Sequence, residues 1–453
     1  VTDRAGNEVP EGTVNRRFEV TDVTSFWDAP NGGRWNVAEH WRDDRVPTED
    51  DGVLISGVTG DNAVQLTTPA IVQKLILQSD FEMRDPLQAN VIEGRDGTFT
   101  LFDTLRNTLV TAKDENFATV FSSGAGLDSV ELDADAEVSG FSLILGVENS
   151  LKVDRTLTVK APGESATTVA SRGATVIDGA GTIFLSRELD TFGGVGNAIS
   201  HSGLIEDVAE ELILGEELTI EGTGSIGSSD DETIQIRGTL KGRDADALLI
   251  QDVDNKGRSM VVNSKDGQVG ANGSVVNATI KGAGRNQVEE FELETGADLK
   301  NVSFEGVSVN VTGGTVFEDV VLGAGGFFSG FSLLARVRDS LIIEDTFALT
   351  APGGSSTFLD FEGDVTVDGA GTLLLSRALD DFGGVGNTVN HVQGEGEGER
   401  KLVLGSDLTI AGTGILKSDI GDTIQILGTL KGQDEGALLI AGIDNDDEAF
   451  AVD

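Results

Sequence analysis

Apolar and polar residues alternate with a period of two in many short runs along this chain. TLTV (Thr156–Val159), ELIL (Glu211–Leu214), ELTI (Glu217–Ile220) and TIQI (Thr233–Ile236) show the pattern. Successive side chains of a strand point to opposite sides, so this alternation predicts half-buried β-strands. Between the runs lie GAGT, GTGS and RGTLKG segments, where glycine supplies the positive φ that a sharp corner needs. Apolar residues nowhere recur at helical spacing over a dozen positions, so little helix is expected. Gly179 and Gly222 are read as opening equivalent turns two rungs apart, at roughly 20 residues per rung.

A second, longer periodicity organises the first. SRELDTFGGVGN (Ser186–Asn197) returns as SRALDDFGGVGN (Ser376–Asn387), with Phe192 and Phe382 190 positions apart. The same offset relates ELILGEELTIEGTG (Glu211–Gly224) to KLVLGSDLTIAGTG (Lys401–Gly414), and TIQIRGTLKG (Thr233–Gly242) to TIQILGTLKG (Thr423–Gly432). No gap is needed over roughly 120 residues, about half of them identical, which marks a true tandem duplication. Residues 81–139 and 271–329 occupy corresponding places with few identities and are expected to continue the same coil.

Short, regularly spaced strands without long hairpins are compatible with a pair of β-sandwich domains or with a solenoid. The gapless repeat favours the solenoid, in which every rung must lie in register on the last. The predicted fold is therefore all-β, a single-stranded parallel β-helix with an N-terminal aromatic cap. Its expected organisation is a capping segment (1–57), first rungs (58–139), repeat copy one (140–263), diverged connecting rungs (264–329) and repeat copy two (330–453). Trp27, Trp35 and Trp41 are the chain's three tryptophans and are read as a cover over the first exposed rung. The alternative is a tryptophan platform for sugar. Asp453 corresponds to Asn263, where the first copy simply continues, so the other end is expected to lack a cap and to be extended covalently or by head-to-tail stacking of subunits.

Composition narrows the function classes. The 60 glycines against 7 prolines fit many tight turns, and 38% apolar residues are enough to fill a continuous core. A net charge of −45 repels phosphate backbones and anionic membranes, which argues against nucleic-acid binding. It suits surroundings rich in salt or divalent cations. Cysteine is absent, which removes disulfides, thiolate metal sites and thiol nucleophiles. No apolar run is long enough to cross a bilayer. The chain opens at Val1 without a methionine or signal peptide and is read as part of a secreted protein.

The stretch WNVAEHWRDDRVPTEDDGVLISG (Trp35–Gly57), followed by AVQLTTPAIVQKLILQSD (Ala63–Asp80), resembles the opening of large secreted bacterial and archaeal β-helix repeat proteins. GVGNAIS and LTIEGTGSIG resemble rungs of the same broad group, which has adhesin-like and haemolysin-type calcium-binding members. The chain departs from that group at His40, where asparagine is usual, and in lacking G-G-x-G-x-D calcium nonapeptides. The resemblance implies a right-handed coil and an extracellular or cell-surface location.

Catalytic chemistry has little to work with. His40 adjoins Trp41, while His201 and His391 are equivalent positions read as turn or core residues kept by the duplication. No HExxH, GxSxG or P-loop is present, and GGVGN lacks the lysine and helix of a phosphate loop. Arg187 with Asp190, and Arg377 with Asp380, are read as ion pairs tying a loop to the stack. Calcium is the expected small ligand, since acidic glycine-rich turns offer carboxylate and carbonyl oxygens. Its candidates are Asp244, Asp254, Asp434 and Asp444. DVDNKG (Asp252–Gly257) begins like an EF-hand loop, but Lys256 stands at a ligand position. Sequons at Asn272, Asn277, Asn301 and Asn310 would carry sugar in a glycosylating organism and are chance matches in an ordinary bacterium.

The reading favoured is a non-enzymatic extracellular structural protein: a β-helical subunit of a self-associating fibre or matrix filament, or an adhesin stalk. Polysaccharide or a cell surface is a further class of partner. Two other readings stand beside it, a carbohydrate-active β-helix enzyme of lyase or glycosidase type and a phage tail-fibre segment.

Overall fold

A computed structural model describes residues 23–453, except 60–61, 162–164, 187–195, 203–209, 229–231, 285–286, 331, 352–355, 377–385, 394–398, 420–421, 433–436 and 446–448. The described chain is a β-solenoid of about 16 turns. Its ladders between strands are parallel throughout, and the one antiparallel contact is an isolated bridge, Trp27 to Trp41. The only described helix is a 3₁₀ turn at Ala38–His40.

Three columns of strands form the faces. Face one begins Ser25–Phe26, Gly52–Ile55 and Ala70–Gln78, with Val53 under Leu75 and Leu75 under Ile92. Face two begins Gly33–Arg34, Val64–Leu66 and Phe81–Met83, with Val64 under Phe81 and Phe81 under Phe99. Face three runs through Ala70, Leu87, Leu105 and Leu127. The chain visits one, two and three in that order and then steps up a rung. Some strands, such as Val253–Ala271, turn corners without leaving the sheet. That strand crosses the expected boundary at 263/264 unbroken, and Ser25 pairs with Val53 inside the segment read as a cap.

Period-two alternation directs one set of side chains into a continuous apolar interior. On face one, Leu212, Ile234, Val253, Val275, Leu299 and Phe317 stack in successive turns. None of them is more than 1% exposed. Each such burial contributes about 1.5–3 kcal/mol, so stability accumulates rung by rung.

The three tryptophans lie buried together in the first described turn. Trp27, Trp35 and Trp41 are 4%, 1% and 2% exposed, which leaves no platform for a sugar ring. Trp41 meets Trp27 edge-on at 5.0 Å and Trp35 at 4.8 Å, and Trp35 packs on Phe81 at 5.8 Å. The indole N–H groups of Trp27 and Trp41 donate to the carbonyls of Ala29 and Trp35.

Gly179 and Gly222 do not open equivalent turns. Gly179 ends a face-one strand and lies against the Val153 carbonyl, whereas Gly222 ends a face-two strand over Leu185. Turn length is not uniform: Thr182 lies directly under Thr219, a longer step than from Val64 to Phe81. Gly222 has φ +122°, and a Cβ there would sit 2.1 Å from the Leu185 carbonyl oxygen. Gly222→Ala is expected to cost about 1–3 kcal/mol from backbone strain alone, measured by urea melts. An unchanged midpoint would show that this corner tolerates a side chain.

The duplicated copies do not occupy the same faces. Asn197–Ser202 lies on face three, stacked on Thr167–Arg172. Its counterpart Asn387–Val392 lies on face one, above Thr357–Glu362 and the column of Val337 and Phe317. Glu211–Leu214 is on face one and Lys401–Leu404 on face two. Thr219–Gly222 is on face two and Thr409–Gly412 on face three. Every matched strand of the second copy stands one face further round.

Candidate functional site

The described surface offers three polar constellations. The first pins the segment after the tryptophan cap. Asp51, buried, accepts from both terminal nitrogens of Arg45 at 2.8 Å, from the Thr48 N–H at 2.7 Å and from the Thr24 hydroxyl at 2.7 Å. The Arg45 guanidinium holds its carboxyl well below the usual range; burial opposes this, and the threonine donors add to it. A depressed carboxyl stabilises the fold above its unfolded pKa, near 4, and that contribution is lost as pH falls below it. Asp51→Asn is therefore expected to cost about 1–3 kcal/mol at neutral pH. Urea melts should show the gap from wild type narrowing below pH 4, and a pH-independent gap would refute this role.

The second constellation lies at a corner expected to hold calcium. Asp254 accepts at Oδ1 from the Lys256 N–H at 2.9 Å and the Asn277 amide at 3.1 Å. Lys256 reaches across to Glu211 at 2.7 Å. Asp244 pairs through its backbone with Gly267. Asp444 donates its N–H to Ile424. Asp434 lies outside the described residues, as do Arg187, Asp190, Arg377 and Asp380. Among the described residues no group of three histidine or acidic side chains could hold a metal ion.

What the duplication keeps at this corner is the neighbouring asparagine. Asn255, wholly buried, accepts from the Ile236 N–H at 2.7 Å and donates to the Ile236 carbonyl at 2.8 Å. Asn445 does the same to Ile426, at 2.6 and 2.7 Å. The side-chain amide stands in for a missing strand. Asn197 and Asn387, the last residues of the two GGVGN blocks, are also buried and donate to the carbonyls of Ser186 and Ser376. The sequence signal for all four was an asparagine recurring at the same offset.

The third constellation is a corner column of left-handed residues. Asn107, Ser129, Asn149 and Gly173 follow one another at the corner between faces three and one, with φ of 49–70°. Gly257, Asn277, Asn301, Asp319, Asp339 and Gly363 do so between faces one and two, with φ of 48–83° including neighbouring Lys256. Short polar side chains tolerate this conformation and bond locally. Asn301 donates to Asn277 at 2.9 Å, and Asn310 donates to Glu290 at 2.9 Å. Thus three of the four sequons use their amide nitrogens as structural donors.

The histidines sit where duplication would keep a packing residue. His201 is 1% exposed, with Ser171 Oγ 2.8 Å from Nδ1 and Glu232 3.8 Å from Nε2. His391 is fully buried, 2.7 Å from the Gly363 carbonyl and 3.2 Å from Ser418. His40 closes on the Arg34 carbonyl and the Trp27 ring. Among described carboxyls, burial pushes up Asp360, which Asn390 contacts at 2.6 Å, and Glu294, next to Glu292. Asp360 has alanine at its counterpart, Ala170, so the duplication does not repeat it. Two shallow surface depressions, one along Ser264, Gln268, Glu290 and Glu292 and one along Asn277, Asn301 and Asp319, contain no histidine.

Several lysines and arginines tie one turn to the next: Lys74 holds Glu93, Lys152 holds Glu131, Lys241 and Arg243 hold Glu221, and Arg336 and Arg338 hold Glu362. Arg95 and Lys152 also hold Glu93 and Asp154, each two residues away in the same turn. Burial pushes the Glu93 carboxyl up, but Lys74 and Arg95 more than reverse it.

The fold and these sites define a long, acidic β-solenoid with its polar chemistry turned to holding the stack. No family model, curated protein or solved structure matches the chain. No described helix is long and apolar enough to cross a membrane.

Proposed function

We propose that this chain is an extracellular structural protein, a rigid acidic shaft within a self-associating fibre, matrix filament or adhesin stalk. The observation that carries the reading is the continuous parallel stack around a mainly apolar interior. At about 4.8 Å per turn it makes a rod of roughly 80 Å. Such a stack resists bending because each rung is hydrogen-bonded to the next. The named polar clusters support the same reading, since Asp51, Asn255, Asn197 and the cross-turn ion pairs all tie backbone or rung to rung. The resemblance to secreted β-helix repeat proteins and the acidic surface favour an extracellular setting in salt or divalent cations.

Electron microscopy of the native material tests this, together with antibody labelling of intact cells. Filaments, a lattice or surface projections containing rods of this length support it. Isolated particles confined to the cell interior would refute it. So would cleavage of a polysaccharide that Asp360→Asn abolishes, which would establish the carbohydrate-active alternative.

A further inference from the structure

Outward positions on face three differ in kind from those on the other two faces. In its central line Ile144, Thr168, Ala198, Ser225 and Leu249 lie over one another in successive turns. After Gly270 and Glu292 the line resumes with Asn310, Phe327, Ala348, Leu374 and Ala411. Glu292 is the only charged residue along it, over roughly 50 Å of rise. Beside this line Thr346, Thr372, Thr409 and Thr429 form a rank of hydroxyls and methyls on consecutive turns. At similar height, face one turns Arg336, Arg338, Asp360 and Glu362 outward instead. In a chain of net charge −45 such a strip is an exception. Ile144 is 53% exposed, and Phe327 and Leu374 are only half-buried. Where the line is interrupted, Glu290 and Glu292 border a shallow depression with Ser264 and Gln268. Glu290 accepts from the Asn310 amide at 2.9 Å, and the two carboxylates keep further lone pairs for donors.

We propose that face three binds a neutral polysaccharide laid along the rod. Charge and chemistry select this partner over the others. The net charge of the chain repels an anionic polymer. A cationic one finds no counter-charge along most of the strip and fits the acidic faces better. A protein partner, a second copy included, would bury Glu290 and Glu292 and pay their desolvation unless it brought cations to meet them. The strip itself carries no such cation between Ile144 and Ala411. A sugar chain brings hydroxyl donors to the two carboxylates as charge-assisted hydrogen bonds. Its C–H faces pack on the Phe327 ring, Leu374 and the threonine methyls, and its other hydroxyls exchange hydrogen bonds with the threonine rank. The length of the strip suits a polymer better than a single sugar. The inference takes the extracellular setting proposed above, where such polymers are met, but does not depend on assembly of the rods.

Retention of the full chain on cellulose, chitin and immobilised galactomannan tests this. At least one matrix is expected to retain it, even at about 1 M sodium chloride, where charge attraction reaches only about 3 Å. Leu374→Glu is expected to weaken retention about tenfold or more, because it sets an unpaired carboxylate in the apolar line. Glu292→Gln should weaken it too, by removing charge-assisted bonds. Val176→Glu, an outward change on face one, is expected to leave it unchanged. All three side chains point away from the core, and circular dichroism matching wild type confirms that each variant is folded. No retention on any of the three matrices overturns the inference and leaves the filament reading standing. Retention that Leu374→Glu does not lower, or that Val176→Glu lowers equally, overturns it as well. Rods that bind no glycan but lose self-association in Leu374→Glu, seen by sedimentation, overturn it in favour of a contact between copies.

Discussion

Trp41→Ala is expected to remove about 3–5 kcal/mol from the first turns, the largest effect of any single truncation in the cap. Trp41 is wedged between Trp27 and Trp35, and it also forms an isolated antiparallel bridge with Trp27. Its removal opens a cavity and deletes its own hydrogen bond to the Trp35 carbonyl, and Trp27 cannot turn in to fill the space without losing its bond to the Ala29 carbonyl. Solenoid stability is a sum of rungs and nearest-neighbour contacts, so the loss is local first. The protein reports on this itself, because all three tryptophans lie in the cap. In urea, the fluorescence transition of the variant should move to lower denaturant, while the far-ultraviolet circular dichroism of the remaining rungs unfolds later. Coincident transitions, both unshifted, would mean that the tryptophans do not hold the first turn.

The buried tryptophan cluster was legible because three tryptophans in one short stretch have few other uses in a chain without tyrosine. The solenoid was legible for a similar reason: alternation such as TIQI reports a strand locally, and the gapless offset reports a stack. The face on which a strand lands is a different kind of information. It depends on summing every corner between two positions, and whole turns such as the one from Thr182 to Thr219 vary in length. Hence Gly179 and Gly222 looked equivalent and are not, and the rotation between copies was invisible. The asparagines were hidden by chemistry rather than by counting. Beside Asp254, Asn255 reads as part of a cation loop, yet its amide completes the backbone of Ile236 on the turn below. Only the stack brings those two residues together.

Raising salt is expected to stabilise this protein on the order of 10 °C in melting temperature, equivalent to several kcal/mol for a chain of this size. Screening acts in two opposed ways. It weakens the cross-turn ion pairs, but most of these are half-exposed, as at Lys152 and Arg338, and such pairs are worth about 0–1 kcal/mol each. It also weakens the mutual repulsion of 77 acidic residues against 32 basic ones, and no arrangement of pairs can cancel that excess. The repulsion outweighs the pairs, so stability should climb as the Debye length falls from about 30 Å at 0.01 M salt to about 3 Å at 1 M. A melting temperature that stays flat or falls across that range would mean the ion pairs dominate. The comparison also separates screening from a specific cation. Sodium and calcium chloride at equal ionic strength should give equal shifts if the effect is screening alone. A further rise with calcium, saturating at millimolar concentration or below, would place a site among the acidic corners. Its loss in Asp254→Asn, with the sodium response unchanged, would assign it to the corner of Asp254 and Asn277.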